Sequence, residues 1–207
     1  MKGLLLKDIL NFKNQQGKTL VFLIPLYFLL ALQMKSSSFF AGLWVMLGAT
    51  LPISSIAYDE KAKWEKYALT MPITRKELVT SKYVLSFLFI ILGNLLSLPF
   101  IYLIDKKLDT ENLLTALVLM AMGILFNSIM LPFTFRFGSE NTRVIMILVV
   151  AIPFLIVYIL QKLDINIVLY MEKHETLIGL TAGAATLVIC FISYLLSIWI
   201  MKRKEIA

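Results

Sequence analysis

Residues 57–83 read AYDEKAKWEKYALTMPITRKELVTSKY, a charged segment that lies between long apolar runs. Of the 207 residues in the chain, 59% are hydrophobic and only 16% are charged, whereas soluble domains contain about a quarter charged residues. The mean hydropathy is +0.84. This composition predicts a single all-α membrane domain over residues 1–207, with almost no chain left for a soluble module.

The apolar runs on either side of this segment are long enough to cross a hydrocarbon layer of about 30 Å as helices. Six transmembrane helices are predicted, at about 18–34, 38–57, 82–104, 113–135, 144–161 and 175–201. An even number of spans places both termini on the same side of the membrane.

Basic residues are distributed unevenly between the segments that connect these spans. Fifteen of the 20 Lys and Arg residues lie in or beside the two termini, the 58–82 segment and the 136–143 loop. Because basic residues are retained in cytoplasmic loops, these four segments are expected to face the cytosol. The same distribution accounts for the net charge of +7 without a nucleic-acid partner. No signal peptide, glycosylation sequon or lipidation motif is evident, so we expect a multi-pass protein of a bacterial cytoplasmic (inner) membrane.

Residues 1–15 have the pattern of an amphipathic helix lying in the membrane interface. Leu5, Leu6 and Ile9 share a broad apolar face, and Lys7 and Asp8 lie on the opposite face. We interpret this segment as an N-terminal elbow helix before the first span; the alternative is a disordered tail.

The 58–71 segment predicts a short cytosolic amphipathic helix that ends at Pro72. Residues spaced as on one helical face are Glu60, Trp64, Tyr67, Ala68 and Met71. Thr74 and Glu77 then form a T-x-x-E capping box, which begins a helix that continues through Lys82 into the third span. A helix, a bend and a helix continuous with a span can carry motion from a partner into the membrane. The alternative is a solvated loop between spans.

This segment resembles the coupling helix that follows the second span in permeases of exporter-type (ABC-2-like) ABC transporters, in particular phenol-soluble modulin exporter permeases. The matching positions are Glu60, Trp64, Leu69, Pro72, Thr74, Arg75 and Lys82. A second stretch, LPFTFRFGSENTR at 131–143, is similar to that family's turn after the fourth span. Its matching positions are Pro132, Arg136, Gly138, Glu140 and Arg143.

The resemblance implies a permease subunit that works with a separate ABC-type ATPase subunit and with a second permease copy or paralogue, usually two plus two. ATP and Mg would be bound by the ATPase, and the exported substrate would be an amphipathic peptide or another hydrophobic molecule. The residues expected to couple to the ATPase are Asp59, Glu60, Trp64, Tyr67, Leu69, Pro72, Thr74, Arg75, Glu77, Arg136, Gly138, Glu140 and Arg143.

The chain has no residue pattern that predicts catalysis or a cofactor of its own. Gly17-Lys18-Thr19 looks like the end of a P-loop, but Phe12 stands where that motif needs glycine. No paired carboxylates, metal-ligand cluster or Ser/His/Asp set is present. We therefore expect a transporter subunit that is not an enzyme and that contacts membrane lipid.

Four polar residues fall inside predicted spans: Asn94, Ser97, Asn127 and Ser128. They can line a substrate path, or they can hold helices together through interhelical hydrogen bonds. No Asp or Glu lies near the centre of a predicted span, which argues against a proton- or sodium-coupled pump. The alternative to an exporter is a non-transporting immunity or sensor subunit that binds peptides.

Overall fold

The computed structural model describes residues 2–34, 37–106, 109–162 and 175–204. These residues form six α-helices and no strand. The helices are α1 (Lys2–Met34), α2 (Ser37–Lys61), α3 (Trp64–Thr70), α4 (Arg75–Asp105), α5 (Thr110–Lys162) and α6 (Glu175–Arg203). All except α3 contain a segment long and apolar enough to cross a membrane. Lys35, Lys107 and Lys173, which the charge distribution places outside the cell, lie outside the described residues.

The fourth and fifth predicted spans both fall within α5, which is why five long helices are seen where six spans are predicted. Gly138 interrupts this helix with φ 81° and ψ 167°. Met122 and Val150 line one cavity together, although 28 residues of straight helix would separate them by about 42 Å. The chain therefore bends sharply back at Gly138, and α5 consists of two converging limbs.

The N-terminal segment differs from its prediction, because the elbow helix expected for residues 1–15 is not a separate element. Residues 2–34 are one helix without a break before the first predicted span. This helix runs parallel to α4, with Phe12 against Phe89 at 5.2 Å and Phe28 against Phe100 at 5.3 Å between ring centroids. An interfacial location for residues 1–15 stays a prediction.

Helix α2 lies at the centre of the bundle and contacts α1, α3, α4 and α5. Its close approach to α4 depends on Gly48, where an added Cβ would lie 3.2 Å from backbone atoms of Phe89 and Ile90. A larger side chain at this position would force the two helices apart.

One end of the bundle contains a buried core to which all six helices contribute. Its fully buried members are Leu4, Ile56, Ala68, Leu78, Val79, Tyr83, Leu131, Phe135 and Met201. The N-terminus, the α2–α4 connection, the bend in α5 and the end of α6 therefore meet at this end. These are the four segments that the charge distribution assigns to the cytosol, and we call their meeting place the basic end (residues 2–8, 55–83, 131–143 and 197–204).

Candidate functional site

Helix α3 is shorter than the 58–71 helix that the sequence predicts. Residues 58–61 belong to α2, and the chain then turns through Lys63, which has a left-handed φ of 50°. Helix α3 begins only at Trp64 and ends at Thr70. The predicted single face is also divided, because Trp64 and Ala68 pack against the core whereas Tyr67 and Met71 are exposed. The pattern could not locate the turn, because a left-handed lysine has no local sequence signal.

The capping box is confirmed. The Thr74 hydroxyl accepts a hydrogen bond from the Glu77 backbone N–H at 3.2 Å, and a Glu77 carboxylate oxygen accepts one from the Thr74 backbone N–H at 2.9 Å. The Thr74 hydroxyl also donates to that carboxylate oxygen at 3.0 Å. The bond from the Thr74 backbone N–H, first, and the bond from its hydroxyl, second, hold the pKa of Glu77 below its ordinary value. Helix α4 begins here and continues without interruption through Lys82, as predicted.

Trp64, one of the residues expected to couple to the ATPase, is only partly exposed. Its ring is half-buried against the core of the basic end, and Lys7 Nζ lies 4.8 Å from the ring centroid. Its indole N–H is buried and has no hydrogen-bond partner among the described residues. Leu69 packs against the same core, and Ala68 is part of it. These three residues fasten α3 to the bundle.

The exposed surface of α3 consists of Lys63, Lys66, Tyr67, Thr70 and Met71, which we call the outward face of α3. Tyr67 is 62% exposed and Met71 46% exposed. Two exposed lysines beside two large, partly apolar side chains give this face the character of a protein-binding surface, because aromatic residues and Met are enriched at interfaces.

Behind α3 lies a group of paired lysine and aspartate side chains with one serine hydroxyl between them, the ion cluster (Lys7, Asp8, Ser55, Asp59 and Lys82). Lys82 Nζ donates to both oxygens of the Asp8 carboxylate at 2.9 Å, to an Asp59 oxygen at 2.6 Å and to the Ser55 hydroxyl at 2.7 Å. The Ser55 hydroxyl in turn donates to Asp8 at 2.9 Å. Lys7 completes the cluster by pairing with both carboxylates. The cluster joins α1, α2 and α4.

The ion cluster is electrically balanced, with two lysines against two carboxylates. Asp8 is 1% exposed and Lys82 5% exposed, so each ion has exchanged water for these partners. Such charges are tolerated in a protein interior only when they are paired and hydrogen-bonded. Asp59, expected from the resemblance to couple to a partner, is instead buried and fully engaged within the bundle.

Sequence reasoning missed the ion cluster because it assigned Asp8 to the water-facing side of an interfacial helix. One local signal was available. Ser55 and Asp59 are four residues apart and so share one face of α2. Their shared polarity could have indicated a partner such as Lys82, but only the packing of α1 against α4 brings Asp8 to them.

Glu60 connects the two sequence motifs. Its carboxylate accepts hydrogen bonds from the Ser139 backbone N–H at 3.0 Å and from the Ser139 hydroxyl at 2.6 Å. Ser139 begins the second limb of α5, where free N–H groups and the helix dipole favour an anion. Gly138 allows the bend that brings Ser139 to Glu60, because L side chains rarely adopt its φ of 81°; an added Cβ would meet the nearest Glu60 carboxylate oxygen at 3.4 Å, an ordinary van der Waals distance. Glu140 and Arg143 form a separate pair at 3.3 Å on the surface, each 68% exposed.

Arg75 ties the end of α6 to the start of α4. Its Nη1 donates to the backbone carbonyls of Met201, Lys202 and Lys204, each at 2.9 Å. A cation at this position satisfies carbonyls that a helix C-terminus leaves unpaired. Lys204 pairs with Glu65 of α3 at 3.0 Å, so α3, α4 and α6 are joined here. Arg136, by contrast, lies in the wall of a groove between α5 and α6, with its guanidinium over the Phe137 ring.

All four polar residues of the predicted path are buried. Asn94 donates to the Ala116 carbonyl of α5 at 2.6 Å, and Ser97 donates to the Asn94 carbonyl at 2.7 Å. Ser128 donates to a carbonyl within its own helix. Of these three bonds, only the one from Asn94 joins two helices, and it favours the helix-packing interpretation for that residue; the bonds of Ser97 and Ser128 stay within their own helices. Asn127 differs, because neither amide atom has a partner among the described residues.

A protein-family model described as "ABC-2 family transporter protein" matches residues 3–202, nearly the whole chain. No curated protein and no solved structure matches the chain significantly. The match covers α3, nearly all of the five long helices and nearly all of the basic end.

Proposed function

The chain belongs to the ABC-2 transporter family, and from that premise we propose that it is the membrane-spanning subunit of an ATP-driven exporter powered by a separate ABC-type ATPase. Permeases of this family are transporter membrane components that generally work with such a partner. ATP and Mg bind to the ATPase in this proposal, and this chain carries no cofactor. The observation that carries the proposal is the outward face of α3, an exposed basic and aromatic surface fastened to the core of the basic end.

The proposed docking surface is the outward face of α3, with Tyr67 and Met71 as its anchors. Pro72 and Thr74 are exposed at the next turn and extend the same surface. Asp59 and Trp64 are removed from the list of contact residues because they lie in the bundle, behind this face. Arg143 and Glu140 remain exposed and are proposed as a secondary contact.

Motion of the ATPase would pass into the membrane along two connections. The first is covalent, from α3 through the capped Thr74 into α4. The second goes from Trp64 to Lys7 and the ion cluster, which holds α1, α2 and α4 together. Because buried ion pairs fix one geometry over short distances, these helices are expected to move with α3 rather than slide past it.

We further propose that the chain crosses the membrane six times, counting the two limbs of α5 separately. The first limb, 110–137, would be about 42 Å long and the second, 139–162, about 36 Å. Each limb exceeds the hydrocarbon thickness of about 30 Å. The bend at Gly138 lies at the basic end, so both termini, α3 and this bend would face the cytosol, in a bacterial inner membrane.

The proposed cargo is an amphipathic peptide or another hydrophobic molecule, by resemblance to the phenol-soluble modulin exporter permeases. The proposed assembly is two permeases with two ATPases. Large apolar side chains on the second limb of α5 and on α6 are exposed in the isolated chain, which supports contact with lipid or with a second permease. Membership in a transporter family does not favour the immunity or sensor alternative.

The test is co-purification of the permease with the proposed ABC-type ATPase partner, comparing Tyr67→Asp with Tyr158→Asp. Both tyrosines are strongly exposed, at 62% and 67%, but Tyr158 lies on the second limb of α5, about 30 Å of helix away from the bend. We expect Tyr67→Asp to reduce the retained ATPase about tenfold or more, since a charge placed at an apolar anchor costs about 2 kcal/mol or more. Tyr158→Asp should retain it. Equal retention in both variants would show that the outward face of α3 is not the docking surface.

A further inference from the structure

A groove of about 520 Å³ runs between α5 and α6 and opens sideways from the bundle. Its walls are almost entirely apolar, with Ile129, Pro132 and Phe133 on α5 and Ile192, Leu196 and Ile200 on α6. Its floor is closed where the Ser193 hydroxyl donates to the Ser128 carbonyl and contacts the Tyr83 hydroxyl at 2.6 Å. The groove is therefore a defined depression in the bundle surface.

The position and length of the groove match one leaflet of a membrane. It begins at Ile200, next to the core of the basic end, and extends to Ile189. Eleven residues of helix span about 16 Å, and half of a hydrocarbon layer of about 30 Å is about 15 Å. If the basic end faces the cytosol, the groove reaches from the inner surface to about the middle of the bilayer.

Among the described residues that line the groove, Arg136 alone is charged, and it lies at the basic end. Its guanidinium lies over the Phe137 ring at 5.2 Å. Among the described residues no carboxylate forms an ion pair with it, whereas Arg143, seven residues further on, is already paired with Glu140. An apolar cleft that ends in one uncompensated cation is complementary to an anionic amphiphile.

We propose that this groove binds an anionic phospholipid of the inner leaflet, with its phosphate group at Arg136 and an acyl chain along the groove. Bidentate hydrogen bonds from guanidinium to phosphate fix the headgroup, and the apolar walls take up the chain. This assignment gives Arg136 a lipid-binding role in place of the ATPase contact expected from the sequence. It depends on the orientation of the basic end but not on the identity of the ATPase or the exported molecule.

The experiment is native mass spectrometry of the full-length permease in detergent, titrated with dioleoylphosphatidylglycerol or with dioleoylphosphatidylcholine. Arg136→Gln is compared with Arg143→Gln, because both positions are exposed and lie in the same connection. We expect Arg136→Gln to weaken binding of the first phosphatidylglycerol about fivefold or more, and to weaken phosphatidylcholine less, because its choline cation offsets the charge of the same phosphate group. Arg143→Gln should change either affinity less than twofold.

A second pair of variants tests the groove itself. Ile192→Trp places a large side chain in the groove, whereas Leu187→Trp adds the same side chain at a strongly exposed position five residues away. Only Ile192→Trp should reduce phosphatidylglycerol binding. Any loss of fold would appear as reduced thermal stability, which is measured on all four variants.

Several results would overturn the proposal. Equal binding of the two lipids by the native chain would leave no role for Arg136. An equal loss in Arg143→Gln would indicate general surface attraction. Disulfide formation between copies carrying Ile192→Cys, in a Cys190→Ser background, would show that a second permease covers the groove. Loss of peptide binding with unchanged phosphatidylglycerol binding in Ile192→Trp would make it a cargo site.

Discussion

Replacing Lys82 with methionine should destabilise the protein strongly, and replacing Asp8 with leucine in the same chain should restore most of the loss. Lys82 Nζ lies within 2.6–2.9 Å of three carboxylate oxygens from Asp8 and Asp59. Without it, Lys7 alone faces two carboxylates, so one negative charge is left uncompensated in a buried site. Removal of one partner from a buried ion pair costs roughly 3–5 kcal/mol.

The double variant leaves the pair of Lys7 and Asp59, whose opposite charges cancel. Replacement of a buried ion pair by apolar side chains is often neutral or stabilising, and the Ser55 hydroxyl loses partners worth about 1 kcal/mol. We therefore expect the free energy of unfolding of the double variant, Lys82→Met with Asp8→Leu, to lie within about 2 kcal/mol of the native value. It should be well above the free energy of unfolding of Lys82→Met alone.

The measurement is the free energy of unfolding in mixed micelles on titration with sodium dodecyl sulfate, for native, both single and double variants. This cycle isolates the coupling between the two positions. Lys76→Met, an exposed lysine on the same helix, is the matched control and should change stability by about 0.5 kcal/mol at most. If the stability losses of the two single variants simply add in the double variant, the claim that the ion cluster is a charge-compensated unit is refuted.

Two further predictions concern the connections of the basic end. Gly138→Ala should lower the free energy of unfolding by roughly 1–3 kcal/mol in the same titration, because alanine is strained at φ 81°. The control is Gly183→Ala, which should be neutral or stabilising because an added Cβ there meets nothing within 4 Å. Equal effects of the two substitutions would contradict this prediction. Glu77→Gln should lower the melting temperature at pH 7. Because the pKa of Glu77 is lowered on folding, its ionised form contributes stability above the ordinary carboxyl pKa. The difference in melting temperature between Glu77→Gln and the native chain should therefore vanish as pH falls through the lowered pKa. A difference in melting temperature that does not depend on pH would contradict this prediction.

Features encoded within a few residues could be predicted from the sequence. The Thr74 capping box, the helix that follows it and the apolar character of the long helices all depend on local spacing. The cytosolic assignment of four separate segments rested on charge counts alone. In the structure those four segments meet at one end of the bundle. Charge counts alone could not predict that they contact one another.

Features that depend on packing between distant segments were missed. Asp8 appears as a surface residue in a helical projection, because the projection does not include α4 as a neighbour. Trp64 appears exposed for the same reason, although α3 turns it onto the core. The contact of Glu60 with Ser139 joins residues 79 apart in the chain. In each case the side chain has a partner that no local pattern specifies.

The central claim is that the outward face of α3 receives a separate ABC-type ATPase on the cytosolic side. The most direct measurement is photo-crosslinking in intact cells from p-benzoylphenylalanine placed at Tyr67, with the same residue at Tyr158 as the control. We expect a covalent product between position 67 and the ATPase, identified by its mass, and none from position 158. Absence of that product at position 67, with the permease present in the membrane and the ATPase expressed, would contradict the account.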